Sequence, residues 1–157
     1  MVTFKPLTKK EFKNYYNESI TSYSEDIIIT LGVEKKIAFD TAQEQFEKLL
    51  PDGKDTINNH ISSIIDKKSS NRVGILWYTI REEFNQKCVF ISDIIIFSEY
   101  RGKGYGTRTF NELEKITTKK GIYSIKLHVF GHNTKARALY KRLGFLDDSI
   151  YMSKKLN

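Results

Sequence analysis

One stretch of the chain, residues 88–97, is apolar at nearly every position, and this limits the folds that the sequence can adopt. A strand buried on both faces has this pattern, whereas a strand with one solvated face alternates apolar and polar residues. The length of the stretch suits a strand better than a helix, and it is far shorter than the roughly 20 apolar residues that span a bilayer. The sequence therefore predicts a central strand in a sheet that is covered on both sides.

Two further strand patterns precede this central strand. Residues 72–81 are rich in β-branched and aromatic side chains, and residues 57–65 form a second candidate strand. Residues 67–71 are predicted to form the turn between these two strands, and residues 82–87 link the second one to the central strand. Together the three strands are expected to form an antiparallel meander.

Helical signals lie on both sides of the meander. Thr8 followed by Glu11 is a capping-box signature. Apolar side chains then recur at helical spacing and are expected to form a buried core face: Phe12, Tyr15, Tyr16, Ile20 and Tyr23. Further helices are predicted at residues 34–50, 105–121 and 133–144, and further strands at Val2–Pro6, 123–129 and 145–152. This mixed order of elements predicts an α+β protein rather than a barrel of alternating units.

Composition narrows the class of protein. The 157 residues contain no repeat or linker, so we expect one domain over residues 1–157. Cys88 is the only cysteine, and the three histidines have no ligand-like spacing with it, so no metal site is expected. The first residues lack the apolar core of a signal peptide, which predicts a cytoplasmic location. The net charge of +7 favours anionic partners but is spread along the chain, so it does not choose among them.

A glycine-rich loop lies between the central strand and a predicted helix. Gly102, Gly104 and Gly106 let the backbone curl so that consecutive amides converge at the helix N-terminus, where the helix dipole also favours an anion. Their spacing differs from G-x-G-x-x-G and from the Walker A loop. The loop therefore predicts binding of a pyrophosphate or similar group, and a flexible turn is the alternative.

Two motifs carry a resemblance to a known family. The pattern Arg101-x-x-Gly104-x-Gly106 resembles the acetyl-CoA signature of the GCN5-related N-acetyltransferases (GNAT). Residues 133–145 resemble their second motif, N-x-x-A-x-x-x-Y-x-x-x-G-F, and the first half of the chain resembles an uncharacterised bacterial subgroup. The resemblance implies the GNAT fold, with a mixed sheet of about six to seven strands and about four helices.

The resemblance also implies roles for individual residues. Backbone groups of the fourth strand would pair with the pantetheine arm of acetyl-CoA, and loop amides would hold the pyrophosphate. The implied cofactor-binding residues are Ile94, Ile95, Ile96, Arg101, Gly102, Lys103, Gly104, Tyr105, Gly106, Thr107 and Asn133. Asn133 is also expected to cap a helix. Tyr140 matches the tyrosine that protonates the departing thiolate, and a buried aromatic is its alternative role.

The general base is less clearly implied. Ser92 stands where some family members have a glutamate, and Asp93 lies beside it. Asp93 is the one ionisable side chain of an apolar strand, where burial would raise its pKa into a useful range for a base. A structural carboxylate is an equally good interpretation of Asp93. A chain of waters reaching Glu82, Glu83 or His128 is a further alternative.

The resemblance implies an acetyl-CoA-dependent N-acetyltransferase. Its acceptor would be a primary amine of a small molecule, an amino acid or a peptide N-terminus. A non-catalytic CoA-binding sensor or partner module is the alternative from another class. The expected partners are acetyl-CoA and the amine, with no nucleic acid and no membrane, and the protein would be a monomer or a homodimer.

Overall fold

The computed structural model describes residues 1–156 and contains one sheet of five strands in the order β1-β2-β3-β4-β5. The strands are β1 (Val2–Pro6), β2 (Asn59–Asp66), β3 (Arg72–Glu83), β4 (Gln86–Ile96) and β5 (Ile125–Leu127). The helices are α1 (Lys9–Leu31), α2 (Lys35–Leu49), α3 (Tyr105–Lys119) and α4 (Thr134–Arg142). Short 3₁₀ turns occupy Gly53–Asp55 and Ser98–Tyr100. No described helix is long and apolar enough to cross a membrane.

Strands β1 to β4 form the antiparallel part of the sheet, and β5 joins β4 in parallel. The predicted link at residues 82–87 is shorter than expected. Only Phe84 and Asn85 separate the two strands, and both have positive φ angles, of 51° and 60°. A two-residue turn with positive φ at both positions matches the twist of a hairpin, so β3 and β4 stay paired up to the turn.

The local signals of α1 act as predicted. The Thr8 side chain accepts a hydrogen bond from the Glu11 amide at 3.3 Å, and the Glu11 carboxylate accepts one from the Thr8 amide at 2.8 Å. Gly32 ends the helix with a φ of +67°. These bonds satisfy amides that a helix start leaves without partners.

The sheet is covered on both faces. Helices α1 and α2 pack on one face around Tyr15, Phe46 and Trp77. Helix α3 packs on the other face, where Phe110 and Leu113 are fully buried, and α4 adds partly buried side chains there. The central position predicted for residues 88–97 is confirmed, because β4 has neighbours at both edges and helices on both sides.

Two expectations about the sheet are wrong. The sheet has five strands rather than six to seven, and residues 145–152 form no strand. Leu146, Ile150 and Met152 in this segment are at least 71% exposed. Strand-forming composition produces a strand only where backbone groups find partners across a ladder. Here β5 is three residues long and pairs with β4 on one edge, and no described strand pairs with its other edge.

Candidate active site where β4 and β5 diverge

The sheet opens between its two parallel strands. Strand β5 pairs with β4 only from Val89 to Ile91. Strand β4 continues to Ile96, and within residues 1–156 no strand covers this second half on the β5 side. The opening exposes strand backbone of the kind that an extended ligand can pair with by adding itself to the sheet. Ile94, Ile95 and Ile96 lie in this half of β4, as the sequence predicted.

A bulge in β4 arranges the side chains beside the opening. Asp93 lies opposite Trp77 and Ile91 lies opposite Tyr78, so Ser92 is one extra residue on β4. A bulge interrupts the alternation of side chains and re-aims one of them. As a result Asp93 faces α1, whereas Ser92 is exposed.

The Asp93 carboxylate has a hydrogen-bond donor on α1. The hydroxyl of Tyr15 donates to Asp93 Oδ2 at 3.0 Å. Burial raises the pKa of Asp93 from 3.8 to about 6 although the Tyr15 hydrogen bond and the neighbouring Ile94 amide lower it, and the negative charge of Asp26 adds to the rise. A carboxylate with this pKa is ionised at neutral pH and accepts a proton more readily than an ordinary aspartate.

Tyr140 lies on α4, and its ring packs on the α3 side of the sheet. Its ring contacts those of Phe110 and Phe145, with centroids 5.7 and 5.8 Å away. Burial raises the pKa of Tyr140, and the charge of Asp93 raises it further, so the two side chains lie within electrostatic reach. Its hydroxyl has no hydrogen-bond partner within residues 1–156. The core interpretation and the acid interpretation of Tyr140 are therefore compatible, because the ring packs while the hydroxyl stays available.

The glycine-rich loop, residues 101–107, has a curled and open backbone, and we call it the cradle. Gly102 and Gly104 have φ angles of +72° and +76°, and an added Cβ at either would meet nothing within 4 Å. Gly106 is different, because its Cβ would lie 3.1 Å from a methyl of Leu139 on α4. The first two glycines thus keep the loop curled and open, and the third allows α3 to pack closely on α4. The part of the chain that the structure describes offers no acceptor to the amides of residues 102–107.

Basic side chains fix the loop. The Arg101 Nε donates to the Ile96 carbonyl at 2.9 Å, which ties the loop to the end of β4. The Arg108 guanidinium donates to the Lys103 carbonyl and lies 4.1 Å from the centre of the Tyr105 ring. An anion in this loop would meet free amides, the N-terminus of α3 and nearby positive charge.

The remaining predicted residues make contacts of their own. Asn133 caps α4, its side chain accepting from the Ala136 amide at 3.3 Å, which confirms the capping interpretation. In the loop before it, His132 Nε2 lies 2.8 Å from the Asp26 carboxylate of α1. Glu83 is bound to Lys126 at 2.7 Å near the hairpin end of β4, and this ion pair makes it a poor candidate base.

Sequence reasoning missed the hydrogen bond between Tyr15 and Asp93. Helical spacing correctly predicts that Tyr15 is a core residue, and it is 2% exposed. The available signal was its hydroxyl, because a buried tyrosine needs a hydrogen-bond partner and the apolar central strand offers few. Asp93 was the one strongly polar side chain of that strand.

Comparisons with known proteins show which family the chain belongs to. A family model described as acetyltransferase (GNAT) family matches residues 29–145. An uncharacterised N-acetyltransferase of Bacillus subtilis, YycN, is 33% identical over 96% of both chains. The crystal structure of YycN superimposes with a TM-score of 0.92 at 32% identity, covering 100% of this chain and 99% of that one. A mouse thialysine N-ε-acetyltransferase is 35% identical over 46% of this chain and 42% of its own. The chain therefore belongs to the GNAT family of acetyltransferases.

Proposed function

We propose that this acyltransferase moves the acetyl group of acetyl-CoA to a primary amine of a small molecule, an amino acid or a peptide N-terminus. The observation that supports the proposal is that Asp93 lies on the half of β4 that β5 leaves uncovered, within electrostatic reach of Tyr140 on α4. One group suits proton removal and the other suits proton donation, and acyl transfer to an amine requires both. The whole chain, residues 1–157, is proposed to serve as one catalytic domain.

Asp93 is proposed as the general base. A primary amine is protonated at neutral pH and must lose a proton before its lone pair can attack a carbonyl carbon. The Asp93 carboxylate accepts that proton directly or through one water. As the nitrogen–carbon bond forms, the carbon–sulfur bond of the thioester breaks, and the sulfur leaves with its electron pair.

Tyr140 is proposed as the acid. Its hydroxyl donates a proton or a strong hydrogen bond to the departing sulfur, and burial keeps it protonated because its pKa is raised. The packing of its ring against Phe110 and Phe145 orients the hydroxyl without using it. A strand amide, at Ile95 or beside it, would stabilise the negative charge on the carbonyl oxygen.

The loop geometry fits acetyl-CoA, which supplies an activated acyl group as a thioester. The free amides of residues 102–107 suit a pyrophosphate, and the open space over Gly102 and Gly104 admits it. Within the same proposal, Asn133 and the backbone of Ile94, Ile95 and Ile96 contact the pantetheine arm. The side chains of Arg101 and Lys103 add positive charge, and Tyr105, Gly106 and Thr107 contribute the first amides of α3.

The choice of an amine acceptor draws on the relatives. The names of two of them, a thialysine N-ε-acetyltransferase and a glucosamine 6-phosphate N-acetyltransferase, each specify an amine nitrogen. The ionised Asp93, with Asp26 nearby, favours an acceptor that arrives as a cation. A cytoplasmic location, and a monomer or a homodimer, stay predictions from the sequence.

The first experiment measures cofactor binding by calorimetric titration. Acetyl-CoA is titrated into the wild type and into Gly104→Glu, with NAD as a control ligand. Glu at this position places a negative side chain in the proposed cradle and strains a positive φ. We expect binding by the wild type only. A wild-type protein that does not bind acetyl-CoA would contradict the proposal.

The second experiment measures release of free CoA thiol with a panel of amines: thialysine, glucosamine 6-phosphate and a short peptide with a free N-terminus. We expect turnover with at least one amine and a fall of about a hundredfold or more in Tyr140→Phe, with unchanged acetyl-CoA affinity. Phe keeps the ring contacts, so the fold is retained. Binding without turnover on any amine would instead favour the non-catalytic CoA-binding module.

A further inference from the structure

One partly buried polar contact joins the first helix to the central strand. Tyr15 and Asp93 are 78 positions apart in sequence, and their hydroxyl and carboxylate are 3.0 Å apart. Tyr15 is among the largest fully buried side chains, and it packs in the cluster between the sheet and helices α1 and α2. A hydrogen bond in such surroundings is stronger than one in water, and losing it leaves a buried group unpaired.

The contact restricts the Asp93 side chain. The Tyr15 hydroxyl donates to Oδ2 from the α1 side. This bond from a buried side chain of another element restricts the orientation of the carboxylate. The remaining lone pairs stay free to accept a proton. Burial and the neighbouring carboxylate hold the pKa of Tyr15 well above its usual value, so its hydroxyl remains the donor.

We propose that Tyr15 is a positioning residue, which orients the Asp93 carboxylate toward the amine and keeps it ionised during acetyl transfer. This inference rests on the proposed function, because it takes Asp93 as the base. Tyr15 acts only through Asp93 and makes no contact with the reacting atoms.

The groups around Asp93 determine in which direction its pKa should change when the Tyr15 hydroxyl is removed. Helix α1 contributes Tyr15, which favours the ionised carboxylate, and Asp26, which opposes it. The Asp26 carboxylate is itself paired with His132 from the loop before α4. Helix α4 contributes the neutral hydroxyl of Tyr140. No cation is among the groups that shift the pKa of Asp93, and the Tyr15 hydrogen bond is the largest of the effects that favour its charged form.

The test compares Tyr15→Phe with Tyr16→Phe. Each variant removes one hydroxyl and keeps the ring. The Tyr16 ring packs against Phe12 and Phe46 and does not contact Asp93, so Tyr16→Phe is a matched control on the same helix. The titration of the Asp93 carboxyl is followed by carbon NMR in protein labelled at aspartate, with Asp93→Asn used to assign the signal.

We expect the midpoint of the Asp93 titration to move to higher pH by about one pH unit in Tyr15→Phe and not in Tyr16→Phe. The acidic limb of kcat/KM for the best amine of the panel should move by the same amount. Above that limb kcat should stay about tenfold below the wild type, because the carboxylate is still ionised but less well oriented. The KM for acetyl-CoA should not change.

A merely structural role for Tyr15 gives a different result. Tyr15→Phe would then lower the unfolding temperature while the Asp93 titration and the acidic limb stay in place, and that outcome overturns the proposal. Failure of the proposed function is separately visible, as a wild type that acetylates no amine of the panel. The NMR titration does not depend on turnover. If the wild type acetylates no amine, an Asp93 midpoint that stays fixed in Tyr15→Phe still overturns the proposal that Tyr15 keeps Asp93 ionised.

Discussion

The cost of burying Asp93 leads to a prediction about stability. Burial raises the pKa of Asp93 from 3.8 to about 6, so the folded protein disfavours the charged carboxylate that the unfolded chain carries at neutral pH. Between these two pKa values the folded state binds more protons than the unfolded state. The contribution of Asp93 to stability is therefore greatest below pH 3.8 and is lost as the pH rises through about 6.

The substitution Asp93→Asn removes this cost. A difference of about two pKa units at about 1.4 kcal/mol each gives an upper value of about 3 kcal/mol at pH 7. At pH 4 the same linkage gives less than about 1 kcal/mol, because the native carboxyl is already protonated. The Asn amide oxygen still accepts the Tyr15 hydrogen bond, but its NH₂ group needs a new acceptor. We therefore expect a net gain of about 1–3 kcal/mol at pH 7.

Urea unfolding of the wild type and Asp93→Asn at pH 7 and pH 4 measures the effect. Asp147→Asn is the control, since Asp147 is exposed on the segment after α4 and its change should stay within about 0.5 kcal/mol. We expect Asp93→Asn to be more stable than the wild type at pH 7, to lose most of that gain at pH 4, and to lose acetyl transfer. Equal effects at both pH values, or a less stable variant at pH 7, would refute the reasoning from burial.

Two other substitutions test the framework around the site. In Gly74→Ala the new Cβ would lie 2.1 Å from the Ile95 carbonyl oxygen, so β4 must shift. We expect the free energy of unfolding in urea to fall by about 3 kcal/mol and acetyl transfer to be reduced. The control is Gly131→Ala, whose Cβ meets nothing within 4 Å and which should change neither quantity. In Thr8→Ala the side-chain half of the capping box is lost, and we expect about 1 kcal/mol lower stability with unchanged acetyl-CoA affinity. A Thr8→Ser variant should keep most of the stability; equal losses in both variants would contradict the capping explanation.

Local signals explain which elements the sequence predicts. The capping box at Thr8 and the loop before α3 each act within a few residues, and the structure has both as expected. Errors arise where distant partners decide. Residues 145–152 have strand-forming side chains, but a strand forms only where its backbone pairs with a neighbouring strand, and composition does not reveal that pairing. Because this segment is unpaired, the sheet has five strands rather than six to seven.

The candidate site also has one part that local sequence predicts and one part that depends on distant contacts. The proposed cradle for the pyrophosphate is one continuous segment, residues 101–107, so the spacing of its glycines is visible in the sequence. The surroundings of Asp93 depend on a bulge at Ser92 and on Tyr15 from α1. A bulge shifts every later side chain of a strand to the other face, and only the pairing register with β3 reveals where that shift occurs.

Helix α1 connects the two strand ends that border the opening. Tyr15 binds Asp93 on β4, and Asp26, three turns later, binds His132 in the loop that follows β5 and precedes α4. Tyr23 adds a ring contact to Phe130 in that loop, with centroids 5.8 Å apart. A displacement of α1 would therefore disturb the proposed base and the loop leading to Tyr140 together, while the cradle, held by Arg101 and α3, has separate supports. Because α1 contacts the proposed base and not the proposed cradle, we expect substitutions along this helix to alter the choice of acceptor while acetyl-CoA binding is kept.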